Sequence, residues 1–354
     1  VHVWIRRGEL ERGRLLTPAS LDRIEQTRTL PYPTTDANYG HGNYGDVLHR
    51  VRSRGHDGGL PGFLSCYRYF PELDVGYVML LNGTYSARAY VEIRAELFAY
   101  LTRGRELPPP PIAPPDDEAI AAAAGFYGYA SPRNELFAFL ERVLVGVELR
   151  RAGAGVELEL LSGTRVPLVP TGAGGFRHRS EGGTSVRVTT GVDGQRIMLL
   201  GMATFEAGSG TRARVRLAAL RAAMISMQLA LLWAIGWWLV SIYRRVRGGT
   251  IDGAERRLCL GAGLASLSFF AMIALAVLVV EREAFCTANL LSVGLCAMTL
   301  VFPACAAAGL VHALRARGVS LALRAIPSVG AFACFGIALW LTFNGVVGLR
   351  LWAW

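Results

Sequence analysis

The sequence contains no lysine. All 37 residues of the Lys+Arg class are arginine, so a serine activated by a lysine three residues on cannot be built from this chain alone. Cysteine is sparse and shows no paired pattern: Cys66 stands alone in the first third, and Cys259, Cys286, Cys296, Cys305 and Cys334 fall inside apolar stretches. That placement offers neither a disulfide framework nor a CxxC metal site, and reads as small apolar packing residues. The opening VHVWIRRGELERG lacks the apolar h-region and small-residue cleavage site of a signal peptide. It also lacks an initiator methionine, so the chain is expected either to begin within a longer protein or to be translated from an unusual start.

What the chain does have is apolar residues and arginine. Over 354 residues, 52% are hydrophobic and the mean hydropathy is +0.33, too apolar for an ordinary soluble enzyme. A net charge of +10 raises the possibility of nucleic acid as a partner. The arginines are instead scattered and cluster beside apolar runs, so membrane topology accounts for the basicity and no nucleic-acid partner is expected.

Four blocks follow from composition. In residues 1–105, TPASLDRIEQ predicts a helix with Thr17 as N-cap and Pro18 in its first turn. YGHGNYGDVLHRV, FLSCYRYF and VGYVMLLN read as three strands, the last so apolar that burial on both faces is expected. ARAYVEIRAELFAYL places Tyr90, Ile93, Leu97 and Leu101 on one helical stripe. Residues 106–118 form a proline-rich linker of semi-rigid, extended character. Residues 119–211 alternate in short runs (GVELEL, SVRVTT) between glycine-rich turns, the pattern of a small antiparallel sheet or barrel.

The fourth block, 217–349, holds four runs long enough to cross a bilayer: Leu217 to Tyr243, Leu258 to Val280, Phe285 to Leu314 and Val319 to Leu349. Arginines crowd the connections after the first and third runs, at Arg244, Arg245, Arg247, Arg256 and Arg257, and at Arg315, Arg317 and Arg324. Positive-inside reasoning puts these loops in the cytoplasm and the preceding blocks outside, while Arg212, Arg214, Arg216 and Arg221 argue the other way. Asn289, His312 and Asn344 are the polar residues of note in the spans: His312 reads as interfacial, the two asparagines as interhelical hydrogen-bonders. Trp233, Trp237, Trp238, Trp340, Trp352 and Trp354 fit interfacial anchoring or lipid packing.

The stretch most suggestive of chemistry is GHDGGLPGF, Gly55 to Phe63. Its glycine density permits either a plain turn or a backbone that approaches a ligand closely. Asp36, Asp46 and Asp57 read as turn-forming residues. His41, His49 and His56 have no zinc-site spacing, and neither metal nor cofactor is expected.

The order GRLLTPASLDRIEQ, YGHGNYG, GHDGGLPGFLSCYRYF and GYVMLLN resembles the C-terminal end of the serine beta-lactamase and penicillin-binding-protein-like family, with its esterase and D-aminopeptidase relatives. The resemblance covers about residues 1–105. It implies an α+β fold: the C-terminal part of a beta-lactamase/transpeptidase-like domain, then a small antiparallel β domain, then a four-helix transmembrane region. It also implies that His56 to Gly58 stand at the family's HxG motif in a turn that opens the active-site strand. His56 would position substrate and support proton transfer, and the Gly59 amide would supply half of an oxyanion hole. Asp57 takes the variable position and receives no role. The family's SxxK serine is absent, and Tyr39-Gly-His and Tyr44-Gly-Asp do not satisfy its YxN motif.

The expectation is therefore the C-terminal part of a membrane-anchored serine hydrolase, inactive as given, in a bacterial cell membrane with its non-membrane blocks periplasmic or extracellular. Its partners would be the lipid bilayer and, for the parent enzyme, a small acyl, peptide or beta-lactam substrate. The alternative is a non-catalytic membrane protein whose outer domains bind a ligand or partner. A channel or transporter finds no support in acidic residues or repeats of the spans.

Overall fold

The computed structural model describes the chain except residues 27–33, 49, 61, 84–86, 133, 154, 283, 285, 286 and 354, with the backbone alone at 48, 60 and 87. Two compact units emerge: Val1–Arg133 with Leu140–Ala213, and Asn134–Phe139 with Arg214–Trp354.

The first unit begins with α1 (His2–Ile5), a small hairpin of β1 (Glu9–Leu10) and β2 (Gly13–Arg14), and α2 (Pro18–Glu25). Thr17 caps α2 through its hydroxyl, which accepts from the Ser20 amide, with Pro18 in the first turn as the sequence predicts. A five-stranded antiparallel sheet comes next in sequential order: β3 (Asn38–Tyr39), β4 (Tyr44–Leu48), β5 (Val51–Leu60), β6 (Phe63–Phe70) and β7 (Val75–Leu81). Residues of β6 alternate between the two faces, as the two-residue period of a strand requires. Tyr67 and Tyr69 stack on Trp4 of α1 at 6.4 and 5.5 Å. Phe70 on the other face meets Phe98 of α3 (Ala87–Leu101) at 5.2 Å.

Two expectations change here. β7 is an edge strand, and it buries Tyr77 and Met79 on one face while Val78 and Leu80 are 57% and 76% exposed on the other. Continuous apolarity therefore does not mark a doubly buried strand in this sheet. On α3 the core-facing residues are Tyr90, Leu97, Phe98 and Leu101, whereas Ile93 is 40% exposed. Phe98, the largest apolar side chain of that turn, displaces the stripe toward itself.

The proline-rich segment runs without regular structure to α4 (Asp117–Ala123), but it is not a free spacer. The Ala113 amide donates to the Pro170 carbonyl at 3.0 Å and Arg177 Nε donates to the Pro111 carbonyl at 2.8 Å, pinning the segment along the β domain. This domain is a closed barrel of eight antiparallel strands: β8 (Gly125–Tyr129), then after α5 (Ala138–Leu144) β9 (Gly146–Ala152), β10 (Gly155–Leu160), β11 (Arg165–Gly172), β12 (Gly175–His178), β13 (Val186–Thr190), β14 (Arg196–Leu200) and β15 (Ala203–Gly208). Alternate residues such as Val147 and Leu149, or Val156 and Leu158, fill its interior with Tyr127, Met198 and Phe205. The sheet and barrel share a seam. Asp36 exchanges two hydrogen bonds with the Thr184 backbone, its amide donating at 2.9 Å and its carboxylate accepting at 2.6 Å. This aspartate, expected as a turn-former, joins two sheets instead.

The second unit is built on four long helices: α6 (Gly210–Val246), α7 (Gly253–Glu281), α8 (Leu290–Arg315) and α9 (Leu321–Phe343). All four are long and apolar enough to cross a membrane, as expected of a multi-pass membrane protein. At 1.5 Å per residue, the 37 residues of α6 reach about 55 Å against a hydrocarbon core of about 30 Å, so several of its turns must lie beyond that core. Small residues let the helices approach: Cβ atoms added to Gly263 and Gly330 would lie 2.3 Å from Ala234 Cβ and 2.2 Å from Ala230 Cβ. The two asparagines do not bridge helices. Asn289 caps α8, accepting from the Leu291 and Ser292 amides, and Asn344 closes α9 by donating to the Trp340 carbonyl. The described cysteines are all free, and Cys286 lies outside the described residues.

Candidate functional site

The GHDGG stretch is not a turn. Residues 55–59 form the second half of the ten-residue strand β5, and the connection to β6 is made by residues 61 and 62, with Gly62 at φ +77°. Pro61 itself lies outside the described residues. Glycine density misleads as a turn signal because here it answers a packing demand: a Cβ on Gly55 would sit 1.9 Å from the Tyr67 carbonyl oxygen. The chains approach there more closely than any side chain permits.

The two halves of β5 differ in pairing. β4 pairs with it from Leu48↔Val51 to Tyr44↔Gly55 and stops, whereas β6 pairs with it as far as Leu60↔Phe63. Among the described residues no strand lies beside His56–Leu60 on the β4 side. Both flanking hairpins have two-residue connections that close on hydrogen-bonded pairs, so Val51, Ser53 and Gly55 direct their amides toward β4. By the same alternation the amides of Asp57 and Gly59 point to the vacant side. The strand thus presents the donor pattern that an extended ligand backbone or a carbonyl oxygen can accept.

His56 is held at this edge by aromatic neighbours. Tyr39 Oη lies 2.7 Å from His56 Nε2, and the Tyr39 and Tyr44 rings meet the imidazole edge-on at 5.8 and 5.6 Å. Tyr39 and Tyr44 do not satisfy the YxN pattern, yet both converge on His56. The available signal was their repeated Tyr-Gly spacing ahead of the strand, which cross-strand pairing brings together as Tyr39↔Tyr44.

Asp57 is anchored on the opposite face. Its Oδ2 accepts from the Tyr44 hydroxyl and lies 3.3 Å from Arg68 Nη2 and 3.5 Å from Arg94 Nη1. Arg68 is 1% exposed, spans the space left by Gly55 opposite it, and lies over the Tyr44 ring at 4.2 Å. Burial and the hydrogen bond to Asp57 push the Tyr44 phenol above its ordinary value, so it stays protonated as a donor. Asp57 Oδ1 and Arg68 Nε and Nη1 are buried and unpartnered among the described residues. Asp57 is thus neither a turn residue nor idle. It ties the open half of β5 to β4, β6 and α3.

A second network fixes the same strand from the helical side. Arg54 donates to Asn43 at 3.2 Å, Asn43 to the Tyr69 hydroxyl at 3.2 Å, and Tyr69 to Glu25 of α2 at 2.5 Å. Asp46 accepts from the Ser53 hydroxyl, a cross-strand contact rather than a turn. His41 lies in the loop before β4 with its amide on the Ile24 carbonyl, and His49 is outside the described residues. Among the described residues no group of three His, Cys, Asp or Glu is placed to hold a metal ion.

The face that carries His56 is apolar beyond it. Strand register sets His56, Tyr67 and Val78 in one row and Gly58, Ser65 and Leu80 in the next, with Val78 and Leu80 exposed.

No family model matches the chain, and no curated protein matches it. Among solved structures it is similar to the octameric penicillin-binding protein homologue from Pyrococcus abyssi, at 15% identity over 58% of this chain and 44% of that one, with a TM-score of 0.23. It is also similar to SurE, at 17% identity over 55% of this chain and 43% of that one, and to SurE with D-Leu, at 16% identity over 55% and 44%, both with a TM-score of 0.32. The chain spans less than half the length of each, and likeness at this level transfers neither fold nor activity.

Proposed function

We propose that residues 1–105 are the substrate-facing C-terminal portion of a serine acyl hydrolase of the beta-lactamase and penicillin-binding-protein-like kind, tethered to a membrane by the four helices. One observation carries the reading: among the described residues, the half of β5 containing His56, Gly58 and Gly59 has no partner on its β4 side, the side to which the register directs the Asp57 and Gly59 amides. In an acyl hydrolase such an amide stabilises the oxyanion of the tetrahedral intermediate, and the extended edge holds the substrate chain. His56, oriented by Tyr39, positions the acyl group and assists proton transfer. The nucleophile and its base come from residues outside this sequence, since a chain without lysine supplies no SxxK pair. The exposed apolar row at Val78 and Leu80, on the face of His56, is where that catalytic segment packs. The barrel is a trailing accessory domain, and the arginine-rich loops of the helices lie on the cytoplasmic side with the catalytic portion outside.

Covalent labelling tests this. A fluorophosphonate or penicillin probe leaves the chain as given unlabelled, and labels a serine once the in-frame upstream coding sequence, carrying SxxK and YxN, is restored. In that extended protein Gly59→Pro, which deletes one oxyanion donor, slows labelling roughly 10²- to 10³-fold. Stoichiometric labelling of a serine in the present chain contradicts the proposal.

A further inference from the structure

A groove of about 550 Å³ opens among α6, α7 and α8, at the end of the helical unit where α6 finishes, α7 begins and α8 finishes. Its lining is chemically divided. Arg245, Arg256, Arg257, His312 and Ser241 supply the polar part, and mainly aromatic and aliphatic side chains supply the rest. The three arginines are exposed, and among the described residues none of their guanidinium groups has an ion pair or hydrogen bond. Nearby acids are already engaged. Glu255 is buried, accepts from Trp237 Nε1 at 2.5 Å and lies 3.7 Å from Arg244, while Asp252 caps α7 by accepting from the Glu255 amide.

The groove is built into the helix packing. α7 and α8 cross at Gly261 and Gly309, and a Cβ on Gly261 would lie 3.0 Å from His312 Cδ2 and 3.4 Å from Gly309 Cα. Glycine at this crossing leaves the imidazole its place in the groove wall. Three guanidinium groups without a counter-charge, gathered around one concavity, favour a doubly accepting anion such as a phosphate diester. A free phosphate would satisfy them but make no use of the apolar part of the groove, where Trp238, Ile242 and Leu264 are 52%, 42% and 56% exposed. A ligand with a phosphate at one end and a hydrocarbon chain at the other satisfies both parts.

We propose that this groove seats an anionic phospholipid, its headgroup phosphate on Arg245, Arg256 and Arg257 and one acyl chain along Ile242 and Leu264. Basic pockets between membrane helices at the level of the headgroups are suited to such lipids. The assignment rests on the helical unit alone and is independent of the hydrolase reading.

Native mass spectrometry of the full chain in neutral detergent, titrated with phosphatidylglycerol or phosphatidylcholine, tests it. The expected result is one phosphatidylglycerol retained roughly tenfold more tightly than phosphatidylcholine, a preference lost in the Arg256→Gln/Arg257→Gln double variant. Arg317→Gln, in the loop after α8 and outside the groove lining, keeps the preference. Helical content and melting by circular dichroism, unchanged in the double variant, ties the loss to the groove. Equal retention of the two lipids by the wild type, or undiminished phosphatidylglycerol retention by the double variant, overturns the proposal. Displacement of phosphatidylglycerol by millimolar inorganic phosphate that itself stays bound also overturns it, and identifies the site as one for a free anion.

Discussion

The barrel and the five-stranded sheet are both antiparallel and lie within one compact unit, but the barrel gives every strand two partners, whereas the sheet ends at β3 and β7 and, among the described residues, leaves half of β5 with one. Closure gives each barrel strand a partner on both sides, and apolar side chains such as Leu149, Met198 and Phe205 fill the interior. The sheet keeps donors in reserve at Asp57 and Gly59 and surrounds them with ionisable groups: His56, Tyr39, Tyr44, Arg68 and Arg94. Open edges promote aggregation unless something covers or uses them. Here the polar anchoring of that edge, rather than its shielding, is the elaborated feature, and this points to use.

The contrast can be broken at its strongest point first. Arg68→Ala removes a fully buried cation from the Asp57 and Tyr44 cluster, and leaves the carboxylate with the Tyr44 hydroxyl and Arg94. Emptying the buried Arg68 site and losing its charge-assisted contacts costs about 2–5 kcal/mol, so segment-resolved hydrogen exchange should show β4–β6 loosened while the barrel amides stay protected. Met198→Ala is the reciprocal experiment. It empties part of the barrel core at a cost of about 2–5 kcal/mol and should loosen β13–β15 while the Asp57 cluster persists.

A smaller effect weighs on the sheet more heavily than on the barrel at alkaline pH, although burial also raises the Tyr127 phenol of the barrel. Burial followed by hydrogen bonding to Asp57 raises the Tyr44 phenol, and burial followed by Glu25 raises Tyr69. A group whose folded pKa is raised stabilises fully below its unfolded pKa, near 10 for tyrosine, and progressively less as pH rises above it. The sheet should therefore lose stability above about pH 10, and Tyr44→Phe should flatten that alkaline loss in denaturant midpoints measured across the range. Smallest of all, Leu80→Ser on the exposed face of β7 should change stability by no more than about 0.5 kcal/mol. It should also reduce self-association in light scattering, because it removes an apolar group from an open surface.

Much of the framework was legible from periodicity and caps. The Thr17–Pro18 helix start, the alternating runs that close into a barrel and the four long apolar segments follow from local rules, and local geometry satisfies them. The misreadings share a different cause, that non-local pairing reassigns locally ambiguous residues. The glycines from Gly55 to Gly59 suggest a turn, but Gly55 serves a close approach to Tyr67 within a strand, which no local pattern encodes. VGYVMLLN read as central because apolar content says nothing of strand order, and β7 turned out to be an edge. Asn289 and Asn344 satisfy their own helix ends before any neighbouring helix. In the candidate site, His56 stood out in the sequence, but Tyr39, Tyr44 and Arg68 did not. Their roles exist only once β3, β4 and β6 lie beside β5.

Hydrogen exchange at single amides of β5 tests the central claim most directly. If the second half of the strand is a free edge kept for a substrate, the Asp57 and Gly59 amides exchange far faster than those of Ser53 and Gly55 in the same strand. Equal protection along the whole of β5 would mean that the edge is closed, and would contradict the account.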